Sequence, residues 1–203
     1  MAVITISRKY ASGGRRIGKY VANRLNYEYV DKALFQKIAE KLHVSEGTLS
    51  SFETGRQYRI SNQFSKFFSK NYIQRIVGYD RTVVEEPEYK EALRNLVLGV
   101  AARDNVVIIG RAAHFFLKDM ENCYRFHLLA SDAWRSEYAI QRLGVRRSRV
   151  EQILEDRDIN HTWFLRTVSG EAAEEPHLFH LILNMDLIPI EKATDLVLKS
   201  VEE

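Results

Sequence analysis

The chain has 203 residues, with 30 Lys and Arg against 27 Asp and Glu, and hydrophobic residues make up 45% of it. That length and apolar fraction suit one packed domain spanning 1–203 and exclude a disordered chain. The longest apolar runs, Val106 to Ile109 and Leu181 to Leu183, fall far short of the roughly 20 residues that a bilayer span needs, so no membrane partner is expected.

The first residues, Met-Ala-Val-Ile-Thr-Ile-Ser, enter a strand-like run directly, without the basic start and apolar centre of a signal peptide, and a cytoplasmic location is expected. Val3 to Ser7 reads as a buried strand because β-branched residues dominate it. A basic, glycine-containing loop follows, and then Ile17, Val21 and Leu25 recur at helical spacing. Tyr27 to Asp31 reads as a second strand, with Leu34, Ile38 and Leu42 as a helix behind it.

Residues 32–104 carry no strand signal and read as a helical insertion. Phe64, Phe67, Phe68, Tyr72, Ile73 and Ile76 form one apolar stripe there, suited to packing on the chain's own core or on a second copy in a homodimer. Glu85-Glu86-Pro87 reads as a break, and Tyr89 to Ala102 as a helix feeding a third strand, Asn105 to Gly110. The single cysteine, Cys123, reads as a buried structural thiol. It precedes a fourth strand, Tyr124 to Ala130, and a fifth follows at Leu181 to Asn184. Strands alternating with helices predict an α/β fold, a parallel sheet covered on both faces.

The loop Arg8-Lys9-Tyr10-Ala11-Ser12-Gly13-Gly14-Arg15-Arg16 sits where a phosphate loop belongs. Small residues let several backbone N–H groups converge on phosphate oxygens, and a helix N-terminus favours the negative charge. Against the motif G-x-x-x-x-G-K-[ST], however, only Gly13 matches: Gly14 takes the lysine position and Arg15 the hydroxyl position. The basic residues of the loop, and Arg146-Arg147-Ser148-Arg149 farther on, suit phosphate groups. With a net charge of only +3, a nucleotide or other small phosphorylated substrate is favoured over a nucleic acid.

Ile4 to Gly18 resembles the opening of the cytidylate-kinase-like family, whose loop reads I-S-R-x-Y-G-S-G-G-R-x-I-G, with Ala11 for a glycine. The likeness continues through Tyr29 to Lys32, Val106 to Ala113, Ala130 to Arg142 and Leu181 to Val201, thinning over about 45–88. It implies a P-loop nucleoside-monophosphate-kinase-like three-layer fold with a five-stranded parallel sheet. The segment 32–104 would then bind the acceptor, and about 146–170 would form a lid. ATP and Mg2+ are the implied substrate and metal. The family has itself dropped the loop lysine, which leaves the catalytic cation unidentified.

On this reading Arg8, Ser12, Gly13, Gly14, Arg15 and Arg16 bind the donor phosphates, and Asp31, Lys32 and Arg111 the acceptor. Arg157 and Asp158 are the catalytic pair of the lid pattern R-D-x-x-R, in which His161 replaces the second arginine. Asp31 is equally readable as a helix N-cap and as the partner of a metal or substrate. Arg111 could clamp a phosphate with two parallel N–H bonds or form a surface ion pair. Ala112 stands where cytidylate kinases carry the Asp that helps to read cytosine, so CMP is one acceptor among several. The departures at Gly14, Arg15, Ala112 and His161 keep two alternatives open, a nucleotide-binding protein without turnover and a basic module for an acidic partner.

Overall fold

In the computed structural model the described residues are 2–33, 86–170 and 174–202. The strands are β1 (Val3–Arg8), β2 (Glu28–Val30), β3 (Val106–Ile109), β4 (Cys123–Leu129) and β5 (Leu181–Asn184). The helices are α1 (Gly14–Leu25), α2 (Glu86–Ala101), α3 (Ala113–Phe116), α4 (Asp132–Leu143), α5 (Val150–Ser169) and α6 (Ile190–Glu202). All pairings are parallel, in the order β2-β3-β1-β4-β5, so the first strand is central.

Both faces of β1 are buried, and its side chains alternate between two cores. Val3 joins Val106, Ile108 and Cys123 beneath α2, α3 and α5. Ile4 and Ile6 join Val107, Ile109, Phe126 and Leu128 beneath α1 and α6. Each such side chain contributes roughly 1.5–3 kcal/mol by leaving water, which explains why the strand has no polar face near its start. Toward its C-terminal end the first face turns polar, with Thr5, Ser7 and the neighbouring His127 all buried.

Several expected boundaries move by a few residues. Tyr27 stays outside β2 because its N–H donates to Ala22 O, closing the end of α1 around the left-handed Asn26. Asp31 leaves the same strand at its other end, where its Oδ1 accepts from Ala33 N at 3.0 Å. Pro87 lies in the first turn of α2 instead of breaking the chain before it, because a first-turn residue needs no intrahelical N–H bond. The periodicity at Leu34, Ile38 and Leu42, the aromatic stripe at 64–76 and most of the insertion 32–104 lie outside the described residues.

α5 runs unbroken through Glu155 to His161. Val150 and Leu154 pack near its start with Ala11 and Ala139, while Phe164, Leu165 and Val168 near its end enter the core beneath α2. Cys123 is buried and free, and burial pushes its thiol up to about 11, in keeping with a structural role. No helix among the described residues is long and apolar enough to cross a membrane.

Candidate active site

In an all-parallel sheet every strand ends at the same edge, and here that edge gathers the basic side chains. β1 ends on Arg8, β2 is followed by Asp31 and β3 by Gly110 and Arg111. Between β1 and α1 the loop is shaped by two left-handed residues, Ala11 at φ 64° and Gly13 at φ 83°. Ser12 Oγ donates to Lys9 O at 2.8 Å, and Gly13 O accepts from Arg16 N and Ile17 N at 2.9 and 3.1 Å. No side chain caps α1, so its first amides remain for another acceptor, as an anion site requires.

Ala11 shows why the related loops use glycine at its position. A left-handed conformation costs an L-residue about 1–2 kcal/mol. Its methyl group is buried with Ala139, Val150 and Leu154, which offsets part of that cost.

The Arg8 side chain is held in a recess. Its stem crosses Gly14, where an added Cβ would lie 3.0 Å from Arg8 Cγ. Its Nη1 rests on Gly110, where an added Cβ would come within 2.3 Å. Burial, then Arg111 and Arg15, draw its pKa down to about 10, against the opposing pull of Tyr29 and Asp31. Among the described residues no carboxylate forms an ion pair with Arg8. Arg15 lies 4.0 Å from Asp31, and burial with Asp31 pushes the Tyr29 hydroxyl up to about 12. Arg8, Arg15, Asp31 and Arg111 are therefore brought together, and Lys32 follows at the same edge. Arg111 and Ala112 are both left-handed, at φ 61° and 50°, and turn the chain sharply from β3 into α3.

A second group forms where α5 meets the loop. Asp158 accepts from Lys9 Nζ at 3.4 Å and from both terminal nitrogens of Arg135, at 2.8 and 2.6 Å. Arg135 is fully buried, also pairs with Asp132 and donates to Tyr10 O at 3.2 Å. Arg157 is exposed and its guanidinium lies over the Tyr10 ring, 5.5 Å from its centre. His161 is half-buried. Burial and the nearby Arg8 lower its pKa to about 4, against a raising effect from Asp158, so it is neutral at pH 7.

Arg16 stands apart from both groups, paired with Glu191 at 3.1 Å and lying over Tyr20. It borders a cleft of about 380 Å³ whose walls include Trp134, Tyr138, Arg142 and Ile190. Trp134 and Tyr138 stack at 5.0 Å with their planes 12° apart. A Cβ on Gly13 would meet Ile190 at 3.4 Å and Trp134 at 3.6 Å, so the cleft adjoins the loop.

Sequence reasoning missed three parts of this site. Arg135 carried a signal, a charged residue four before the buried Ala139 on the same face of α4. Trp134 and Tyr138 share the same spacing, yet nothing local tells a core pair from a cleft wall. The third part is a polar seam beneath α5. Ser7 Oγ lies 3.5 Å from Glu174 Oε1, which lies 3.8 Å from His127 Nδ1, and the Phe179 ring is 4.9 Å from those of both His114 and His127. These residues come from four separate stretches of chain, and no spacing could have grouped them.

Magnesium usually keeps several waters and takes one or two protein carboxylates besides substrate phosphates. Asp31, at the sheet edge beside the loop, fits that modest requirement. Among the described residues no group of three or more His, Cys, Asp or Glu could hold a metal by itself.

The model of the family described as "Cytidylate kinase-like family" matches residues 3–187. No curated protein sequence matches the chain. An uncharacterized protein from Eubacterium ventriosum ATCC 27560 has a similar structure, with TM-score 0.67 and 16% identity, over 99% of this chain and 98% of that one. Shikimate kinase from Bacteroides thetaiotaomicron aligns with TM-score 0.55 and 15% identity, covering 100% and 99% of the two chains. A gluconokinase from Sinorhizobium meliloti 1021 aligns with TM-score 0.54 and 13% identity, covering 99% and 91%. At these identities the likeness is one of fold, that of the P-loop kinases.

Proposed function

The chain belongs to the cytidylate kinase-like family, and on that premise we propose that it transfers the γ-phosphoryl group of ATP to a small phosphorylated acceptor such as a nucleoside monophosphate. The observation that carries this reading is the convergence of Arg8, Arg15, Arg111 and the uncapped start of α1 on one edge of the sheet. Like charges gathered this closely favour an anion among them.

In this mechanism the amides of Ser12, Gly13 and Gly14 and the side chains of Arg8 and Arg15 hold the donor phosphates, while Arg16, paired with Glu191, lines the neighbouring cleft. The flat Trp134–Tyr138 pair offers a stacking wall for the donor base. Arg111 holds the acceptor phosphate, with Asp31 and Lys32 beside it. Magnesium, arriving on the nucleotide, would neutralise phosphate charge with Asp31 as its protein partner. Arg157 swings from Tyr10 toward the transferring group as the lid segment 146–170 closes, and α5 excludes water. Ala112 is buried and offers no carboxylate to a base, so CMP has no special claim among acceptors.

Thermal shift with MgATP, ADP, CMP, UMP and AMP, followed by a coupled transfer assay on the hits, tests this reading. Stabilisation by ATP and by at least one monophosphate, with turnover, is the expected result. Binding of ATP with no turnover on any acceptor would favour the nucleotide-binding alternative, which the neutral His161 already supports. Indifference to every nucleotide would overturn both.

A further inference from the structure

We propose that Arg8 replaces the missing phosphate-loop lysine, its guanidinium being the cation shared by the donor γ-phosphate and the acceptor phosphate. Gly14 stands at the lysine position because the Arg8 stem occupies the space a lysine stem would need. The inference rests on the phosphoryl-transfer reading above and assigns the charge that reading leaves open.

Two contacts trace the path. The Arg8 stem lies so close to Gly14 that an added Cβ would sit 3.0 and 3.3 Å from its Cγ and Cδ. The guanidinium then reaches Gly110, at the end of the adjacent strand, where an added Cβ would sit 2.3 Å from Nη1. The side chain thus runs from the donor loop to the turn that carries Arg111. A lysine in a P-loop reaches the β- and γ-phosphates from one side, whereas a guanidinium fork can hold two oxygens at once.

The neighbouring cations of the loop are otherwise engaged or exposed. Lys9 is paired with Asp158, Arg16 with Glu191, and Arg135 with Asp158 and Asp132. Arg15 is largely exposed and lies 4.0 Å from Asp31. Arg8 is recessed, has no carboxylate ion-pair partner among the described residues and faces the like charges of Arg111 and Arg15. With its pKa drawn down only to about 10, it keeps its charge at neutral pH. A lone pair of an acceptor phosphate oxygen forms the new bond to the γ-phosphorus as the bond to the β–γ bridging oxygen breaks. That electron pair stays on the β-phosphate of the departing ADP. The acceptor oxygen is already anionic, so Arg8 remains protonated and balances charge throughout.

Isothermal titration of the full chain with MgATP and with magnesium pyrophosphate tests this in the parent, Arg8→Ala, Arg8→Gln, Gly14→Lys and the Arg8→Ala/Gly14→Lys pair. Circular dichroism checks that each is folded. Loss of a charged hydrogen-bonding group should weaken both ligands about 10- to 100-fold in Arg8→Ala and Arg8→Gln. Gly14→Lys alone should also weaken binding, because its stem crowds that of Arg8 and displaces the guanidinium. The pair should recover most of the loss, since the lysine then has room and the cation returns. If Arg8→Ala fails to fold, Arg8→Gln, which keeps the stem, decides the matter. Binding equal to the parent in either folded neutral variant, or a pair no better than Arg8→Ala, overturns the role of Arg8. A parent that binds pyrophosphate but no nucleotide overturns the kinase reading and leaves Arg8 to be judged on the pyrophosphate arm. A parent that binds neither overturns both.

Discussion

Arg135 grips both carboxylate oxygens of Asp158 from a position with no solvent exposure, joining α4 to α5. Its third contact, to Tyr10 O, fastens the same pair to the loop between β1 and α1. Asp158, expected from the lid pattern to be catalytic, thus has a positioning task whatever else it does. Removing one partner of a buried pair leaves an uncompensated charge, typically at a cost of about 3–5 kcal/mol. Arg135→Ala should destabilise by about 3 kcal/mol, the low end, because Asp158 retains some exposure and Lys9. Chemical denaturation checks this, and a loss below about 1 kcal/mol would mean that the pair behaves as a surface bridge.

Arg157, next along the helix, should behave in the opposite way. It is exposed and contacts the Tyr10 ring, an interaction of about 0.5–1 kcal/mol at such sites. Arg157→Ala should therefore leave stability nearly unchanged; on the proposed transfer mechanism it should lower turnover far more than ATP affinity, because the charge assigned to it there develops in the transition state. Unchanged turnover with a lowered melting temperature would assign it to structure instead. Because His161 is neutral at its place in the lid pattern, His161→Arg should leave turnover equal or higher.

Stability should fall as the solution is acidified from about pH 7 toward pH 4. Burial lowers both His127 and His161 to about 4, with further lowering of His127 by His114 and Lys9, and of His161 by Arg8, His127 and Lys9. Each histidine titrates near 6.5 when unfolded, so between those values the unfolded chain binds more protons and unfolding gains from acid. Asp158 opposes the shift at His161. Glu174, whose carboxyl burial raises, works in the other sense: its contribution is present at low pH and lost as it ionises. Denaturation midpoints measured between pH 7 and 4 should fall less steeply in His127→Gln than in the parent. Parallel profiles would show that His127 does not drive the loss.

Two small residues should respond differently to a single carbon. A Cβ on Gly18 would fall 2.4 Å from Ile109 Cδ1 in the core, so Gly18→Ala should cost about 1–3 kcal/mol through overpacking. Ala11→Gly removes left-handed strain of about 1–2 kcal/mol, but it loses a buried methyl worth about 0.8 kcal/mol. The freer unfolded chain costs a further 0.4–1 kcal/mol or so. The net change should be near zero, and equilibrium denaturation that showed a loss beyond about 2 kcal/mol would mean that packing outweighs strain.

The positions of all five strands were legible in the sequence because each is a local run of β-branched or aromatic residues, and their alternation with helices made the sheet parallel. The tight loop between β1 and α1 was legible for the same local reason, small residues between a strand and a helix. The family pattern likewise marked Arg157, Asp158 and His161. What each of those side chains meets was decided only by tertiary structure. Arg135 and Tyr10 are 125 residues apart, and Ser7 and Glu174 are 167 apart. The neutrality of His161 follows from burial beside Arg8, and the recess of Arg8 from two glycines, one opening α1 and one in the turn after β3. Charge and hydrogen bonding act through space over a few ångströms, so the chemistry of these groups is set by which distant segments the fold brings within that reach.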